Sequence, residues 1–284
     1  MRPGVYPGNK RSMSMNEAVK KHWEAETCGV RYGASEDRGE WFREIERARY
    51  LCEPQILEFA EFKKFRAKRV LEIGVGAGTD FKNWVKNGAQ ATGIDLTSRG
   101  TALTKERLSL EGINPNRFNL CVADSERLPF KDGVFEMVYS WGVLHHTLNT
   151  GQAIKEAYRV LKPGGIIKAM VYHIPSWTGW LLWLRFCLFK LRPWISPRKA
   201  IYGHLESPGT KAYTLEEAKE LFESARFQVI EIKTSLGPGD LLNIAFSRKY
   251  SGFIYKIIGL MYPRWLVRLF GNRFGLELLL QARK

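Results

Sequence analysis

A doubly wound α/β sheet is the fold this chain predicts, on three observations. Between residues 69 and 172, short apolar runs alternate with amphipathic ones, the pattern of parallel strands joined by helices on both faces. The first strand runs into Glu72-Ile73-Gly74-Val75-Gly76-Ala77-Gly78-Thr79, where three glycines let the backbone turn sharply and approach a ligand. Acids, Asp95 and Asp124, close the second and third strands, at the sheet edge where ligands bind in such folds.

The elements follow in order. Residues 1–15 form a loose basic arm with Pro3 and Pro7. Asn16 caps a helix reaching Glu26, and a break follows from Cys28-Gly29 to Gly39. Glu40–Phe65 reads as a helical pair, the second member opened by Pro54. Then come strand Arg69–Ile73, helix Asp80–Lys86, strand Gln90–Ile94, helix Ser98–Leu110 and strand Arg117–Val122. Strand Val134–Ser140, helix Gln152–Leu161 and strand Gly165–Tyr172 complete the alternation. Thr214-Leu215-Glu216-Glu217 is a capping box opening helix Leu215–Ala225, followed by strand Phe227–Thr234. Leu276–Ala282 reads as a last strand. Residues 1–65 are expected to form an arm and helical lid, and 66–284 the main domain with insertions at 174–213 and 241–274.

A chain of 284 residues buries one full core with embellishments. Its four cysteines, Cys28, Cys52, Cys121 and Cys187, show neither C-x-x-C pairing nor zinc spacing, so a reducing compartment and no metal are expected. No signal peptide and no spanning helix are read from the sequence. The net charge of +15 points to an anionic partner.

The glycine spacing separates two cofactors. A dinucleotide fingerprint reads G-x-G-x-x-G. This chain reads G-x-G-x-G, with Glu72 two residues ahead of the first glycine. Gly93-Ile94-Asp95-Leu96, Val122-Ala123-Asp124-Ser125, Phe135–Ser140 and Leu161-Lys162-Pro163-Gly164-Gly165 follow in order. Over roughly residues 69–172 the chain resembles class I S-adenosylmethionine (SAM) dependent methyltransferases, a family that includes quinone-biosynthesis and other small-molecule enzymes. The resemblance implies a Rossmann-like sheet of seven strands, the last antiparallel beside the fifth. It implies SAM as methyl donor and S-adenosylhomocysteine as product. Gly74, Gly76 and Gly78 are then expected beneath the amino-acid end of SAM. Asp95, with Leu96 beside it, is expected on the ribose hydroxyls, and Asp124 on the adenine amino group with Ser125 alongside. Glu72 either orders the glycine loop or meets the SAM ammonium, and Ser140 opens the loop near the methyl group.

Methyl transfer from a sulfonium needs alignment more than a covalent nucleophile. His145, His146 and His173 lie at strand ends and are the candidate general bases for a hydroxyl or thiol acceptor. Trp23, Tyr32, Trp141 and Tyr172 are candidate substrate walls. The loop after the fourth strand lacks the Asn/Asp-Pro-Pro-aromatic run of amino-methylating DNA enzymes, so no nucleic acid partner is expected.

The insertions mix rings with cations. Trp177–Leu191 is dense in Trp, Leu and Phe and is interrupted by Arg185 and Lys190. Leu241–Phe274 carries Arg248, Lys249, Lys256, Arg264, Arg268 and Arg273 and no Asp or Glu. Such segments suit a headgroup boundary. The expected function is methylation of a hydrophobic or amphipathic small molecule of lipid, quinone or prenyl type, by a cytoplasmic protein that touches an anionic membrane surface. A small soluble metabolite or thiol as acceptor, and a non-catalytic nucleotide-binding scaffold, are the alternatives.

Overall fold

The computed structural model describes residues 15–242 and 261–284. The basic arm and the expected ring and cation positions between 243 and 260 lie outside the described residues. Seven strands form one sheet in the order β3-β2-β1-β4-β5-β7-β6. They are β1 (Arg69–Ile73), β2 (Gln90–Asp95), β3 (Phe118–Val122), β4 (Phe135–Trp141), β5 (Leu161–Tyr172), β6 (Gln228–Ser235) and β7 (Glu277–Arg283). The first five are parallel, and β7 is antiparallel to both β5 and β6. The Rossmann-like order and the antiparallel last strand are as expected from the sequence.

Helices α4 (Phe81–Lys86), α5 (Ser98–Leu110), α6 (Thr150–Val160) and α9 (Leu215–Ser224) connect the strands. Each owes its start to a local signal. Thr97 Oγ1 accepts from Gly100 N at α5, Asn149 from Gln152 N at α6, and Thr214 and Glu217 form a reciprocal capping box at α9. Several boundaries shift by one or two residues, and one shifts further. β5 starts at Leu161, four residues early, because Leu161 pairs with Phe135 before a bulge lets Ile166 meet Met137.

Strand alternation sorts the core into two layers. Val70, Trp84, Met137 and Tyr139 lie in one, and Leu71, Ile73, Val138 and Ile167 in the other. The N-terminal helices are α1 (Met15–Ala25), α2 (Arg38–Cys52) and α3 (Gln55–Ala60). α1 already includes Met15, one residue before the expected cap. Ile56 and Phe59 of α3, with Phe62 and Phe65, join the first core layer, so α3 and the turn after it pack on the sheet. The first insertion folds as α7 (Trp177–Phe186) and α8 (Pro197–His204). Of the second, helix Arg264–Leu269 and the turn Gly271–Phe274 are described. Among the described residues no helix is long and apolar enough to cross a membrane.

Gly78 serves packing. A Cβ there would stand 3.1 Å from the Thr104 backbone of α5, and its φ is +73°. Gly78→Ala is therefore expected to cost about 1–3 kcal/mol, from left-handed strain and overpacking. A denaturant midpoint equal to that of the parent chain would remove this reading.

Candidate active site

A cavity of about 1120 Å³, counting its open mouth, lies at the carboxyl ends of the parallel strands. Topology puts it there: β1 and β4 run to neighbouring positions but send their connections in opposite directions, which opens a crevice. The turn after β1 contributes Gly74, Val75, Gly76 and Ala77, and Glu72 closes the floor. Asp95, Leu96 and Thr97 come from the end of β2, and Asp124 and Ser125 from the end of β3. Trp141 and Val143 follow β4, with His146 beyond them. Helix α1 and the turn after it add Val19, Trp23, Thr27 and Cys28.

Asp95 is held before any ligand arrives. Its Oδ2 accepts from Gly76 N at 3.0 Å, and its Oδ1 from Thr97 N at 2.9 Å and Thr97 Oγ1 at 2.6 Å. A Cβ on Gly100 would stand 2.6 Å from the same carboxyl carbon, so glycine is required in this first turn of α5. Asp124 Oδ1 accepts from Glu126 N at 2.9 Å. Glu72 behaves differently. Its side chain is buried, and Oε2 has no hydrogen-bond partner. Burial first, then the charge of Asp80, holds its carboxyl well above the usual glutamate range.

Two groups that the sequence did not reveal stiffen the wall. Arg49 of α2 clamps Asp80 through Nε–Oδ1 at 3.0 Å and Nη2–Oδ2 at 2.5 Å. Tyr50 and Tyr139 hydroxyls donate to the same carboxylate at 3.0 and 3.2 Å. Arg49 also reaches Glu53 at 3.3 Å, and Glu53 accepts from Trp141 Nε1 at 2.8 Å. Trp141 is thus fixed in orientation against the cavity.

The histidines separate into three situations. His173 is not at the cavity: its Nδ1 lies 2.9 Å from the Gly275 carbonyl, on the face of β5 opposite Tyr172. His145 is fully buried behind the wall, its ring 4.0 Å from that of Tyr172. Burial, then the neighbouring His146 and Lys211, push its pKa well below the ordinary histidine value, so the ring is neutral. Neither of its nitrogens has a partner. His146 lines the cavity, edge-on to Trp23 at 5.1 Å. Its Nδ1 is 2.9 Å from Ser207 Oγ and 3.2 Å from Thr210 Oγ1. Its Nε2 stands 3.1 Å from Glu206 Oε2, off the hydrogen-bond direction. Glu206 also accepts from the Tyr172 hydroxyl at 2.8 Å and keeps a third of its side chain exposed. Burial raises the Glu206 carboxyl, but His146 and then Tyr172 and Arg31 outweigh it, leaving it below the ordinary value.

Four further candidates lie off the cavity lining. Ser140 is fully buried and does not line the cavity; strand alternation turns it away between Tyr139 and Trp141. Gly78 contacts Thr104 rather than the cavity. Tyr32 packs on the small cluster of Phe42, Ile45 and Ala77, and Tyr172 acts behind the wall through Glu206. Trp23 and Trp141 do line it. One group of described residues has metal-competent chemistry. Donor atoms of His145, His146 and Glu206 lie within 4.8 Å of one another. Tetrahedral zinc with bonds near 2.1 Å needs donors about 3.4 Å apart, so these side chains would have to close in.

A Rossmann-like sheet with an orphaned buried carboxylate, a glycine turn and two strand-end acids around one cavity fits a sulfonium nucleoside with an ammonium group. The chain carries a domain of the SAM-dependent methyltransferase kind. Residues 71–169 match the family model described as Methyltransferase domain. The demethylmenaquinone methyltransferase of Protochlamydia amoebophila (strain UWE25) is 29% identical over 168 residues, covering 56% of this chain and 68% of that protein. The sterol 4-C-methyltransferase strm-1 of Caenorhabditis elegans is 33% identical over 104 residues, 37% of this chain and 30% of that protein. The chain thus spans less than a third of the sterol relative. The fold is shared with the crystal structure of the [4+2]-cyclase SpnF, at a TM-score of 0.58 and 17% identity over 95% of this chain and 97% of that one.

Proposed function

We propose that the protein methylates a hydrophobic or amphipathic small molecule carrying an ionisable hydroxyl or enol. The division of the cavity carries this reading. One side presents Glu72, Asp95 and Asp124; the other presents Val19, Trp23, Trp141 and Val143. The polar side suits the nucleoside and ammonium of SAM, and the apolar side suits a ring or chain. The relatives named above include a demethylmenaquinone and a sterol methyltransferase, and menaquinones and sterols are hydrophobic. SAM supplies an activated methyl group. Glu72 receives the ammonium, Asp95 the ribose hydroxyls, and Asp124 with Ser125 the adenine edge. Trp23 and Trp141 align the acceptor, and the His146–Glu206 pair takes its proton.

The test is incubation with methyl-labelled SAM and separate lipid and aqueous cell extracts. Label entering the organic phase is expected. Label confined to water-soluble products would replace this reading with a soluble acceptor, and no label beyond background would leave a scaffold.

Asp95→Ala is expected to weaken SAM binding by about 1.5–3 kcal/mol, the value of hydrogen bonds to a charged acceptor. It is also expected to lower the melting temperature, because the same carboxylate holds Gly76 and Thr97. Calorimetric titration showing unchanged SAM affinity would take Asp95 out of the ribose site.

A further inference from the structure

Two insertions leave the sheet at a single edge. β5 ends at Tyr172, β6 ends at Ser235 and β7 begins at Glu277, and these three residues are in register across the sheet. The parallel strands deliver the cavity to that same edge. The insertions are fastened together there. Asp240, fully buried, accepts from Thr178 N at 2.9 Å and Thr178 Oγ1 at 2.7 Å in α7, and from Leu276 N at 2.7 Å at the entry to β7. The Trp177 ring packs on Phe270 at 5.8 Å and Phe274 at 5.9 Å.

What they leave uncovered is apolar. Phe189, Leu191, Trp194, Met261, Trp265 and Leu269 are exposed to between 71% (Trp265) and 83% (Leu191). Isolated exposed apolar residues are ordinary, but two clusters on joined segments are not. Residues 174–205 contain Arg185, Lys190, Arg192, Arg198 and Lys199, of which Arg198 pairs with Glu217 at 2.8 Å, and residues 261–274 contain Arg264, Arg268 and Arg273; neither stretch contains Asp or Glu, and Glu206 follows the first. Several cations rest against rings: Lys190 lies 5.4 Å from the Phe186 centroid and Arg273 5.5 Å from that of Phe274.

We propose that this edge is a docking face for an anionic lipid bilayer. Rings and aliphatic side chains enter the headgroup boundary while Lys190, Arg192, Arg268 and Arg273 meet lipid phosphates. A protein partner would bring carboxylates to match the cations, but a bilayer supplies both anions and an apolar layer at the spacing of adjacent side chains. The inference rests on the proposed acceptor only in its purpose, which is to set the cavity mouth at the membrane where an amphipathic substrate resides.

The experiment is co-sedimentation of the full chain with phosphatidylcholine vesicles, with and without phosphatidylglycerol. Binding to the anionic vesicles at 0.1 M salt is expected, with loss at 1 M salt, where the Debye length falls from about 10 to about 3 Å. Lys190→Gln and Arg268→Gln are each expected to weaken it about fivefold, and Phe189→Ser with Trp265→Ser to weaken it further. SAM titration and thermal melting of each variant confirm that it is folded. No binding to anionic vesicles at low salt overturns the proposal. So does a dimer in sedimentation equilibrium that Trp265→Ser dissociates, which would make this face a contact between copies. A soluble acceptor would leave the vesicle result unchanged, so the two readings fail separately.

Discussion

Glu206→Gln is expected to slow methyl transfer about 10²–10⁴-fold while leaving SAM affinity nearly unchanged. The glutamine keeps the shape and the contact with the Tyr172 hydroxyl but removes the charge beside His146. His146→Ala is expected to do the same, and the double variant to be little slower than either single one, because the two groups stand 3.1 Å apart and act as one proton acceptor. Single-turnover kinetics with labelled SAM measure this. The pH profile of the parent chain should show an acid limb that Glu206→Gln removes, which a merely structural contact would not produce. Near-normal turnover in both single variants would end the base assignment. His173→Ala is the control, since its ring faces Gly275 away from the cavity.

Arg49→Met is expected to destabilise the fold by about 3–5 kcal/mol, the usual cost of breaking a buried ion pair from one side. Asp80 has a side chain only 2% exposed and is clamped by both guanidinium nitrogens. Tyr50 and Tyr139 can still donate to it, but neither can neutralise it. Adding Asp80→Asn to Arg49→Met is expected to restore part of the loss, since Asp80 then carries no unpaired charge and only Glu53 lacks its cation. Urea unfolding measures both. A single variant that loses less than about 1 kcal/mol would show that the pair is solvated in solution.

Most of the sheet was legible from one sequence. β1, β2 and β3 announced themselves as short apolar runs ending at a glycine or an acid, and the capping box at Thr214 fixed the start of α9 to the residue. The cavity floor was legible for the same reason: Glu72, Gly74, Gly76, Asp95 and Asp124 sit at strand ends that the topology must gather. Arg49, Asp80 and Glu206 were not. Their partners are 31 residues away for Arg49 and Asp80, and lie in different elements for Glu206 and His146. No local pattern joins them. Ser140 and His173 were misplaced for a different reason. Ser140 sits beside cavity-lining Trp141 and the period-two alternation turns it away, while His173 lies one residue past β5 with its ring toward Gly275. That signal was present in the sequence.

Helix α1 makes one wall of the cavity, with Val19 buried and Trp23 against His146, and polar contacts at its C-terminal end tie it to α5. Glu24 accepts from Ser98 Oγ at 2.8 Å and Arg99 N at 3.3 Å, and the Arg99 guanidinium reaches the carbonyls of Glu24 and Ala25 at 3.1 and 2.8 Å, all at the surface. Surface contacts of this sort contribute at most about 1 kcal/mol each. A wall held in this way is expected to order the catalytic cycle: SAM would bind first, Trp23 would then complete the acceptor's berth, and S-adenosylhomocysteine would leave last. A pre-steady-state burst of methylated product, followed by a slower steady rate that Glu24→Ala accelerates, is the kinetic signature of that order.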